Sequence, residues 1–310
     1  MSEGDTDVTV IIATQDRAES LPMLLGHLEL QSYPHARFDI LLVHTGSDPE
    51  TPRTLERYAE GGPVRVRRLA AAGEPLNRAR NRAIAQATGR WLLFLDDDLL
   101  ASEPLVAEHV ATQRACGGAA AVVGSIEPHP QIDPQTFTRT YALAASRVYI
   151  PDQPLRFLDW RLHNVSLPRA AVLEAGGFDE DLPSTDLDGV ELGWRLERSG
   201  LRGIFRREAC AYMWHAVRME EERARFYAEG YALSYVLQKT ASDLLHERYA
   251  KYIIPWRGRL RRMAAPLWGL AYMLSAGGVA RRRALCRHTF AEALGRGYRD
   301  AAAGRDPRGA

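Results

Sequence analysis

Short apolar runs alternate with segments of helical periodicity over the first 95 residues, and this alternation constrains the fold more than any other feature of the sequence. Continuous apolar strands separated by helices are typical of a parallel sheet that is covered on both faces. Ligands of such sheets bind at the carboxyl ends of the strands, so functional residues are expected directly after Ala13, Val43 and Leu95. The predicted strands are 8–13, 39–43, 64–69 and 91–95, and the predicted helices begin at Leu21, Pro52 and Pro75.

The order of elements is less regular beyond this point. A helix is predicted at 104–116 and a strand at 119–126, after which residues 127–160 contain five prolines and no periodicity. Such a segment is typical of a long excursion over the surface that serves as a lid or as part of an acceptor site. Further helices are predicted from Pro168 to Gly176, at 190–199, and from Met219 to the end of the chain.

The composition excludes several classes of protein. With 310 residues, 25% of them charged and 8% aromatic, the chain is large and apolar enough to bury a core, which excludes a disordered chain. Three widely spaced cysteines without a CxxC pair argue against a disulfide framework or a structural zinc site. The acidic, polar start is unlike a signal peptide, so a cytoplasmic location is expected. The excess of arginine over lysine follows base composition and predicts no nucleic-acid partner.

Three adjacent carboxylates follow the most apolar strand. Trp91–Leu95 runs directly into Asp96, Asp97 and Asp98, which we call the acid triplet. Like charges at a buried strand end repel one another unless a cation or hydrogen-bond donors lie among them. The triplet therefore predicts a site for a hard divalent cation that bridges a diphosphate, and the alternative is a solvated acidic turn in which Asp98 caps a helix.

Six sequence blocks follow one another over residues 7–216. They are Val10-Ile-Ile-Ala-Thr-Gln-Asp-Arg17, Leu41-Leu-Val-His-Thr-Gly-Ser-Asp48, Asn77-Arg-Ala-Arg-Asn81 with Gly89–Asp98, Asn164-Val-Ser-Leu167, Gly176-Gly-Phe-Asp-Glu180 and Val190-Glu-Leu-Gly-Trp-Arg-Leu196. Their order resembles that of the family 2 glycosyltransferases of the GT-A fold. The resemblance implies an α/β fold with a GT-A type, mostly parallel sheet flanked by helices and a helical C-terminal extension. It implies a glycosyltransferase domain at 1–218, with a nucleotide-binding half (1–126) and an acceptor-binding half (127–218), and a helical region at 219–310.

The resemblance implies an inverting transfer of a sugar from a nucleoside-diphosphate sugar. Mg²⁺ or Mn²⁺ would neutralise the leaving diphosphate. His215 occupies the place of a histidine that reaches the metal or diphosphate in many family members, although it could equally end a buried strand. The implied donor contacts are Thr14, Asp16, Arg17, Arg80 near the base, Asp96 on the ribose side, and Asp98 as the leading metal ligand, with Asp97 open between ribose and metal.

The residues expected to contact the nucleobase depart from the family pattern. The family usually has an acidic pair before Gly-Ser, where this chain has His44 and Thr45. Thr45 or His44 can still hydrogen-bond a pyrimidine, but a carboxylate that accepts from the imide is missing. Selectivity for uridine is therefore expected to be relaxed or changed, and Asp48 could substitute only if its loop shifted.

The position of the catalytic base departs as well. An inverting displacement needs a carboxylate that takes the proton of the acceptor hydroxyl, and the family's Glu-Asp pair reads Asp188-Gly189 here. Asp188 is the predicted replacement, because a helix N-terminus would keep it ionised, with Asp186 and Glu191 as further candidates. Alternatively, Asp188 is a plain N-cap, and Glu191 only pairs with Arg195 four residues on.

Trp160, His163 and Asn164 are candidates for the acceptor groove. An aromatic ring can pack against the C–H face of a sugar, and all three residues lie in or beside the acceptor-side blocks. The alternative for Trp160 is a place in the core.

The C-terminal region is strongly basic. Residues 251–310 carry a formal charge of +10, and residues 1–250 carry −9. Within this region, Met263–Ala280 has no charged residue and is flanked by arginines. Three interpretations remain open: a helical region on an anionic membrane surface at the cytoplasmic face, a membrane span, or a soluble appendage that contributes to a homo-oligomer.

The predicted function is metal-dependent, inverting transfer of a sugar to a hydroxyl of a glycan, a lipid-linked acceptor or a small-molecule glycoside. The alternative is a weak or inactive homologue that binds a nucleotide sugar or a glycan, because the usual base and the nucleobase carboxylate are both missing.

Overall fold

The described part of the chain contains one eight-stranded sheet. A computed structural model describes residues 6–59, 61–132, 154–183, 185–214, 218–253 and 279–305. The strands are β1 (Val8–Thr14), β2 (Phe38–His44), β3 (Arg65–Ala70), β4 (Trp91–Leu95), β5 (Leu99–Ala101), β6 (Ala120–Pro128), β7 (Asn164–Pro168) and β8 (Arg202–Met213).

The sheet combines a parallel half with an antiparallel half. The strand order is β3-β2-β1-β4-β7-β6-β8-β5. The first four strands in this order are parallel, with Thr14 of β1 paired to His44 of β2. β7 runs antiparallel to β4 and β6, and β5 runs antiparallel to β8. This confirms the predicted α/β fold of GT-A type, and it adds β5 and β7, for which the sequence predicted no strand.

Nine α-helices accompany these strands in the described part of the chain. The helix that carries Asp188 begins at Asp186, four residues before the start predicted from its apolar spacing. The helices are α1 (Leu21–Glu29), α2 (Glu50–Ala59), α3 (Leu76–Gln86), α4 (Leu105–Ala115), α5 (Arg169–Glu174), α6 (Asp186–Arg198), α7 (Met219–Thr240), α8 (Asp243–Ile253) and α9 (Val279–Ala302).

Two apolar clusters cover the two faces of the sheet. Along β1, Val8, Val10 and Ile12 belong to one cluster, whereas Ile11 belongs to the other. This alternation arises because successive side chains of a strand point to opposite faces. A strand that is buried on both faces therefore has an almost continuous apolar sequence, and its polar residues are left for its ends.

The chain forms two compact units, Met1–Glu127 with Val148–Trp214, and Pro128–Arg147 with His215–Ala310. In the second unit, the rings of Phe226 and Phe290 stack with centroids 4.7 Å apart. Tyr249 donates its hydroxyl to the buried Glu229 at 2.9 Å. Beyond residues 128–132, the described part of this unit is mostly helical.

Two predicted segments fall largely outside the described residues. Most of the 127–160 excursion does so, and Met263–Ala280 does so except for its last two residues. Among the helices that are described, none has the length and apolar character needed to cross a membrane.

Candidate active site

The predicted donor residues converge on one edge of the parallel half of the sheet. β1, β2 and β4 end there side by side, because β1 pairs in parallel with both of the others. The backbone N–H of Thr45, directly after β2, donates to the carbonyl of Thr14 at 3.1 Å. Carboxyl ends of adjacent parallel strands form the crevice in which ligands bind in such sheets.

The acid triplet lies at this edge and its carboxylates are partly buried. Burial and the neighbouring Asp98 raise the pKa of Asp97 to about 7, although the hydroxyl of Thr14 and the guanidinium of Arg17 act in the opposite direction. The structure therefore brings Thr14 and Arg17 of the first loop to the triplet. Burial and the neighbouring carboxylate therefore disfavour the charged form of Asp97, and a bound cation would stabilise that form.

His163 joins the triplet to the start of α6. Its Nδ1 atom is hydrogen-bonded to Asp96, and its Nε2 atom lies 3.6 Å from Asp186 Oδ1. Burial alone would lower the pKa of His163, but the two flanking aspartates raise it to about 10. The imidazolium thus holds the end of β4 against the helix that carries Asp188.

Sequence reasoning placed His163 only near the acceptor block and Asp186 only among the alternative bases. The sequence contained one relevant signal, a histidine next to the strand residue Asn164. What makes His163 a bridge is the pairing of β4 with β7, which brings residue 163 next to residue 96.

Asp188 lies in the first turn of α6 and is 5% exposed. Its Oδ2 atom accepts from Arg80 Nη1 at 2.6 Å, and its Oδ1 atom accepts from the backbone N–H of Gly189. Burial raises the pKa of Asp188 although Arg80 acts against it. The N-cap is Thr185, whose hydroxyl accepts from the N–H of Leu187, so the N-cap interpretation of Asp188 is wrong.

Arg80 therefore contacts the predicted base, whereas the resemblance placed it near the nucleobase. The Arg80 side chain extends from α3 over Phe178, and its guanidinium carbon lies 5.3 Å from the centroid of that ring. The structure thus joins two candidates that the sequence assigned to different roles.

Packing explains why position 189 carries no carboxylate. A Cβ atom there would lie 2.9 Å from Leu162 Cγ and 3.1 Å from the Leu162 backbone nitrogen. The segment before β7 fills the space that an aspartate side chain would need, so the usual base cannot be accommodated without moving that segment.

Glu191 is fully buried and paired with Arg195. The two side chains form hydrogen bonds of 3.0 Å and 2.6 Å, and Arg195 also donates to the carbonyls of Ala175 and Gly177. This is the alternative arrangement, in which Glu191 pairs with Arg195, and it argues against Glu191 as a candidate base. Such a closed ion pair orders the α5–α6 region and presents no carboxylate to a substrate.

Trp160 and Asn164 are interior residues. Trp160 is 0% exposed and belongs to the apolar cluster of one sheet face. Asn164 donates to the carbonyls of Ser125 and Ala209, and it accepts from His109 at 2.9 Å. As placed, neither side chain offers a surface to an acceptor, so we assign the acceptor groove to neither.

The loops after β1 and β2 bring together Asp16, His44 and Asp48, which we call the Asp–His–Asp cluster. One ligand atom from each residue lies within 4.8 Å of the other two. Among the residues that the structure describes, this is the group of three ligand-type side chains whose atoms lie close enough to hold one metal ion. The three carboxylates of the acid triplet do not meet this distance. His215, the predicted partner of Asp98, lies outside the described residues.

Sequence and structure comparisons identify related proteins. The profile of glycosyl transferase family 2 matches residues 9–164, about half of the chain. Validoxylamine A glucosyltransferase of Streptomyces hygroscopicus subsp. jinggangensis is 28% identical, over 65% of this chain and 54% of its own length. The O-antigen biosynthesis protein RfbC of Myxococcus xanthus is 29% identical, over 65% of this chain and 17% of its own. This chain thus spans about half the length of the first of these relatives and less of the second.

Solved structures share the fold. The mannosyltransferase PcManGT of Pyrobaculum calidifontis, in complex with GDP-Man and Mn²⁺, has a TM-score of 0.65 at 17% identity, covering 96% of this chain and 88% of its own. Residues 1–349 of TarS of Staphylococcus aureus, in complex with UDP-GlcNAc, have a TM-score of 0.54 at 14% identity, covering 97% and 93%.

Proposed function

Since this chain belongs to glycosyl transferase family 2, we propose that it transfers a sugar from a nucleoside-diphosphate sugar to a hydroxyl group, with inversion at the anomeric carbon. The observation that carries the proposal is the convergence at one sheet edge of the acid triplet, the first-loop residues and the Arg80-paired Asp188. The related glucosyltransferase supports sugar transfer, and the two neighbours with bound nucleotide sugars support the donor class.

The donor would lie along the ends of β1, β2 and β4. Thr14, Asp16, Arg17 and Thr45 would contact the nucleotide, and Asp96 would contact the ribose. Held by His163, Asp96 already has a fixed orientation, which lowers the entropic cost of binding.

The acid triplet would hold Mg²⁺ or Mn²⁺ through Asp98, with His215 as a further ligand. The residues fit such an ion in their chemistry, because carboxylate oxygens are the ligands that these cations prefer. A cation would also stabilise the charged form of Asp97, whose pKa is raised by burial and by the neighbouring Asp98. When bound, the ion supplies positive charge to the diphosphate.

Asp188 is the proposed base. The acceptor oxygen forms the new bond to the anomeric carbon, its proton passes to the Asp188 carboxylate, and the bond from the anomeric carbon to the diphosphate oxygen breaks. A raised pKa favours this proton transfer, since a base works best with a pKa near the working pH. Arg80 holds the carboxylate in place.

A weak or inactive homologue is the second candidate. Packing excludes a side chain at Gly189, and His44 replaces the usual acid after β2. In that case the protein would bind a nucleotide sugar or a glycan without turnover.

For the catalytic candidate, the acceptor would be a glycan, a lipid-linked acceptor or a small-molecule glycoside. Contact of the basic C-terminal region with a membrane, or with a second copy of the chain, stays a prediction.

A thermal-shift titration tests the donor site. UDP, GDP, dTDP and CDP are each added with and without Mn²⁺, and a nucleotide at 100 times its dissociation constant should stabilise the protein by about 2.7 kcal/mol. We expect a metal-dependent shift for one nucleotide that is lost in Asp98→Asn and kept in Asp181→Asn, which changes an exposed acid. If no nucleotide shifts the melting temperature in the presence of Mn²⁺, the proposed donor site is wrong.

A second pair of measurements separates the two candidates. Donor consumption is followed with acceptors of the three classes, for the wild type and for Asp188→Asn. Turnover by the wild type that falls about 100-fold or more in Asp188→Asn, with nucleotide binding unchanged, supports catalysis. Nucleotide binding without turnover on any acceptor supports the binding homologue.

A further inference from the structure

The Asp–His–Asp cluster is a second group of ligand-type side chains, formed by loops that are distinct from the one carrying the acid triplet. His44 is the last residue of β2, and its Nε2 atom lies 3.5 Å from Asp48 Oδ2 and 3.8 Å from Asp16 Oδ1. These distances exceed those of good hydrogen bonds, and they leave a space between one nitrogen and two oxygen atoms.

His44 has an unsatisfied nitrogen in this space. Its side chain is 6% exposed, and its Nε2 atom has no hydrogen-bond partner among the residues that the structure describes. Buried polar atoms are nearly always paired, so an unpaired ring nitrogen that faces two carboxylates points to an occupant between them.

The backbone fixes both carboxylates. Asp16 adopts a left-handed conformation with φ of +53°, which is strained for a residue with a side chain, and its Oδ1 atom accepts from the N–H groups of Ser47 and Asp48, both at 2.8 Å. Asp48 Oδ1 accepts from the N–H groups of Glu50 and Thr51, which leaves Oδ2 on the side of His44. The cluster is therefore oriented before any ligand arrives.

We propose that the Asp–His–Asp cluster binds a first-row transition-metal ion such as Zn²⁺ or Mn²⁺. Ligand atoms about 2.0–2.1 Å from a tetrahedral ion lie about 3.4 Å apart, close to the separations around His44. An imidazole nitrogen with two carboxylates favours such ions over Mg²⁺ or Ca²⁺, which prefer oxygen ligands alone. The side chains of Asp16 and Asp48 are 42% and 26% exposed, which leaves an entry path and room for water ligands.

The ion ties together the loops that follow β1 and β2. Thr14 at the end of β1 and Thr45 after β2 are joined there by a backbone hydrogen bond. Because Asp16 is also a proposed nucleotide contact, the metal lies at the border of the proposed nucleotide site and stabilises that edge of the sheet. This inference does not depend on sugar transfer, since it concerns metal binding alone. A protonated His44 paired with both aspartates is the competing arrangement, and it needs no metal.

Cobalt binding tests the proposal. The 310-residue protein without a histidine tag is stripped of metal and titrated with Co²⁺, whose visible absorption reports nitrogen ligation and coordination geometry. The variants are His44→Gln and Asp48→Asn, of which the second keeps the Oδ1 acceptor for the two N–H groups. Asp98→Asn removes the acid-triplet ligand, and His246→Gln removes an exposed histidine of α8 as a matched control.

We expect one Co²⁺ with a visible band in the wild type, in Asp98→Asn and in His246→Gln, and at least a 10-fold loss of affinity for that ion in His44→Gln and Asp48→Asn. Zn²⁺ should compete for the same ion and raise the melting temperature of the wild type. A band of unchanged strength and affinity in both cluster variants would overturn the proposal, as would a band that disappears only in Asp98→Asn. If His44→Gln fails to fold, Asp48→Asn decides.

Discussion

The acid triplet and the Asp–His–Asp cluster end neighbouring strands of the same sheet, yet their carboxylates are stabilised in different ways. In the cluster, the side chain and backbone N–H of Thr51, together with the N–H of Glu50, lower the pKa of Asp48 to about 2. In the triplet, burial and adjacent acids raise the pKa of Asp97 to about 7. The same residue type, at the same edge of the sheet, thus differs by about five pKa units.

The difference in pKa follows from the backbone N–H groups that each loop offers to its carboxylate. After β2 the chain turns immediately into α2, and the N–H groups at the helix start point at Asp48. After β4 the chain continues into the short β5, so no helix start supplies donors to Asp97. The triplet instead depends on positive charge from other segments, such as His163 beside Asp96 and Arg17 near Asp97, and on any cation that binds there. Four measurements test this contrast.

The largest expected effect is on metal-dependent nucleotide binding. Asp98→Asn should weaken the affinity for a nucleoside diphosphate in the presence of Mn²⁺ about 100-fold, because the triplet loses the charge that holds the ion. Asp48→Asn should change it less than about 10-fold. Isothermal titration with both variants checks this, and equal losses would show that the two sites do not have separate roles.

The next effect is on stability and concerns the backbone that fixes Asp16. A Cβ atom at Gly46 would overlap the Asp16 carboxylate and backbone nitrogen. Gly46→Ala should therefore lower the free energy of unfolding by about 2–3 kcal/mol. Gly26→Ala is the control, since nothing lies within 4 Å of its added Cβ, and it should be neutral or slightly stabilising. Urea denaturation measures the free energy of unfolding of both variants. Equal values for the two would show that the first loop moves aside to accommodate the added methyl group.

Asp97→Asn should stabilise the metal-free protein at alkaline pH. The pKa of Asp97 is about 7 in the fold against 3.8 for the ordinary side chain, so the native state holds the proton more tightly. Wild-type stability is then lost as pH rises from about 4 through 7. In EDTA the variant should gain about 1–2 kcal/mol at pH 8 and nothing below pH 4. A gain that does not vary with pH would contradict the raised pKa.

Asp48→Asn should have the smallest effect, and only in acid. The pKa of Asp48 is lowered to about 2, so its charge stabilises the fold above pH 3.8 and this contribution is lost as pH falls through 2. The asparagine keeps an oxygen that accepts the two N–H groups. The melting temperature of the wild type should therefore fall more steeply between pH 4 and pH 2 than that of the variant, and parallel curves would be evidence against the lowered pKa.

Much of this edge could be predicted from the sequence. Apolar runs locate β1, β2 and β4, and parallel strands align their carboxyl ends, so the sequence alone is enough to place Thr14, His44 and Asp96 at one edge. The pairing of Glu191 with Arg195 was also predictable, since residues four apart share a helix face.

Contacts between residues distant in the chain could not be predicted in this way. His163 bridges Asp96 and Asp186 only because β7 pairs antiparallel with β4, and Arg80 meets Asp188 across 108 positions of sequence. The buried positions of Trp160 and Asn164 likewise depend on neighbours from other elements. No local pattern in the sequence encodes these partners.

Hydrophobic periodicity and short motifs are local properties, so the amino-acid sequence alone was enough to identify the family, the parallel half of the sheet and the residues that end its strands. Only the folded arrangement shows which of those residues have partners. In the folded protein Arg80 donates a hydrogen bond to Asp188, and Leu162 fills the space that a side chain at position 189 would need. His44 lies between two aspartates. Burial, and the charges and donors contributed by distant segments, set the pKa and the accessibility of each carboxylate, and these quantities depend on the folded arrangement rather than on the order of residues.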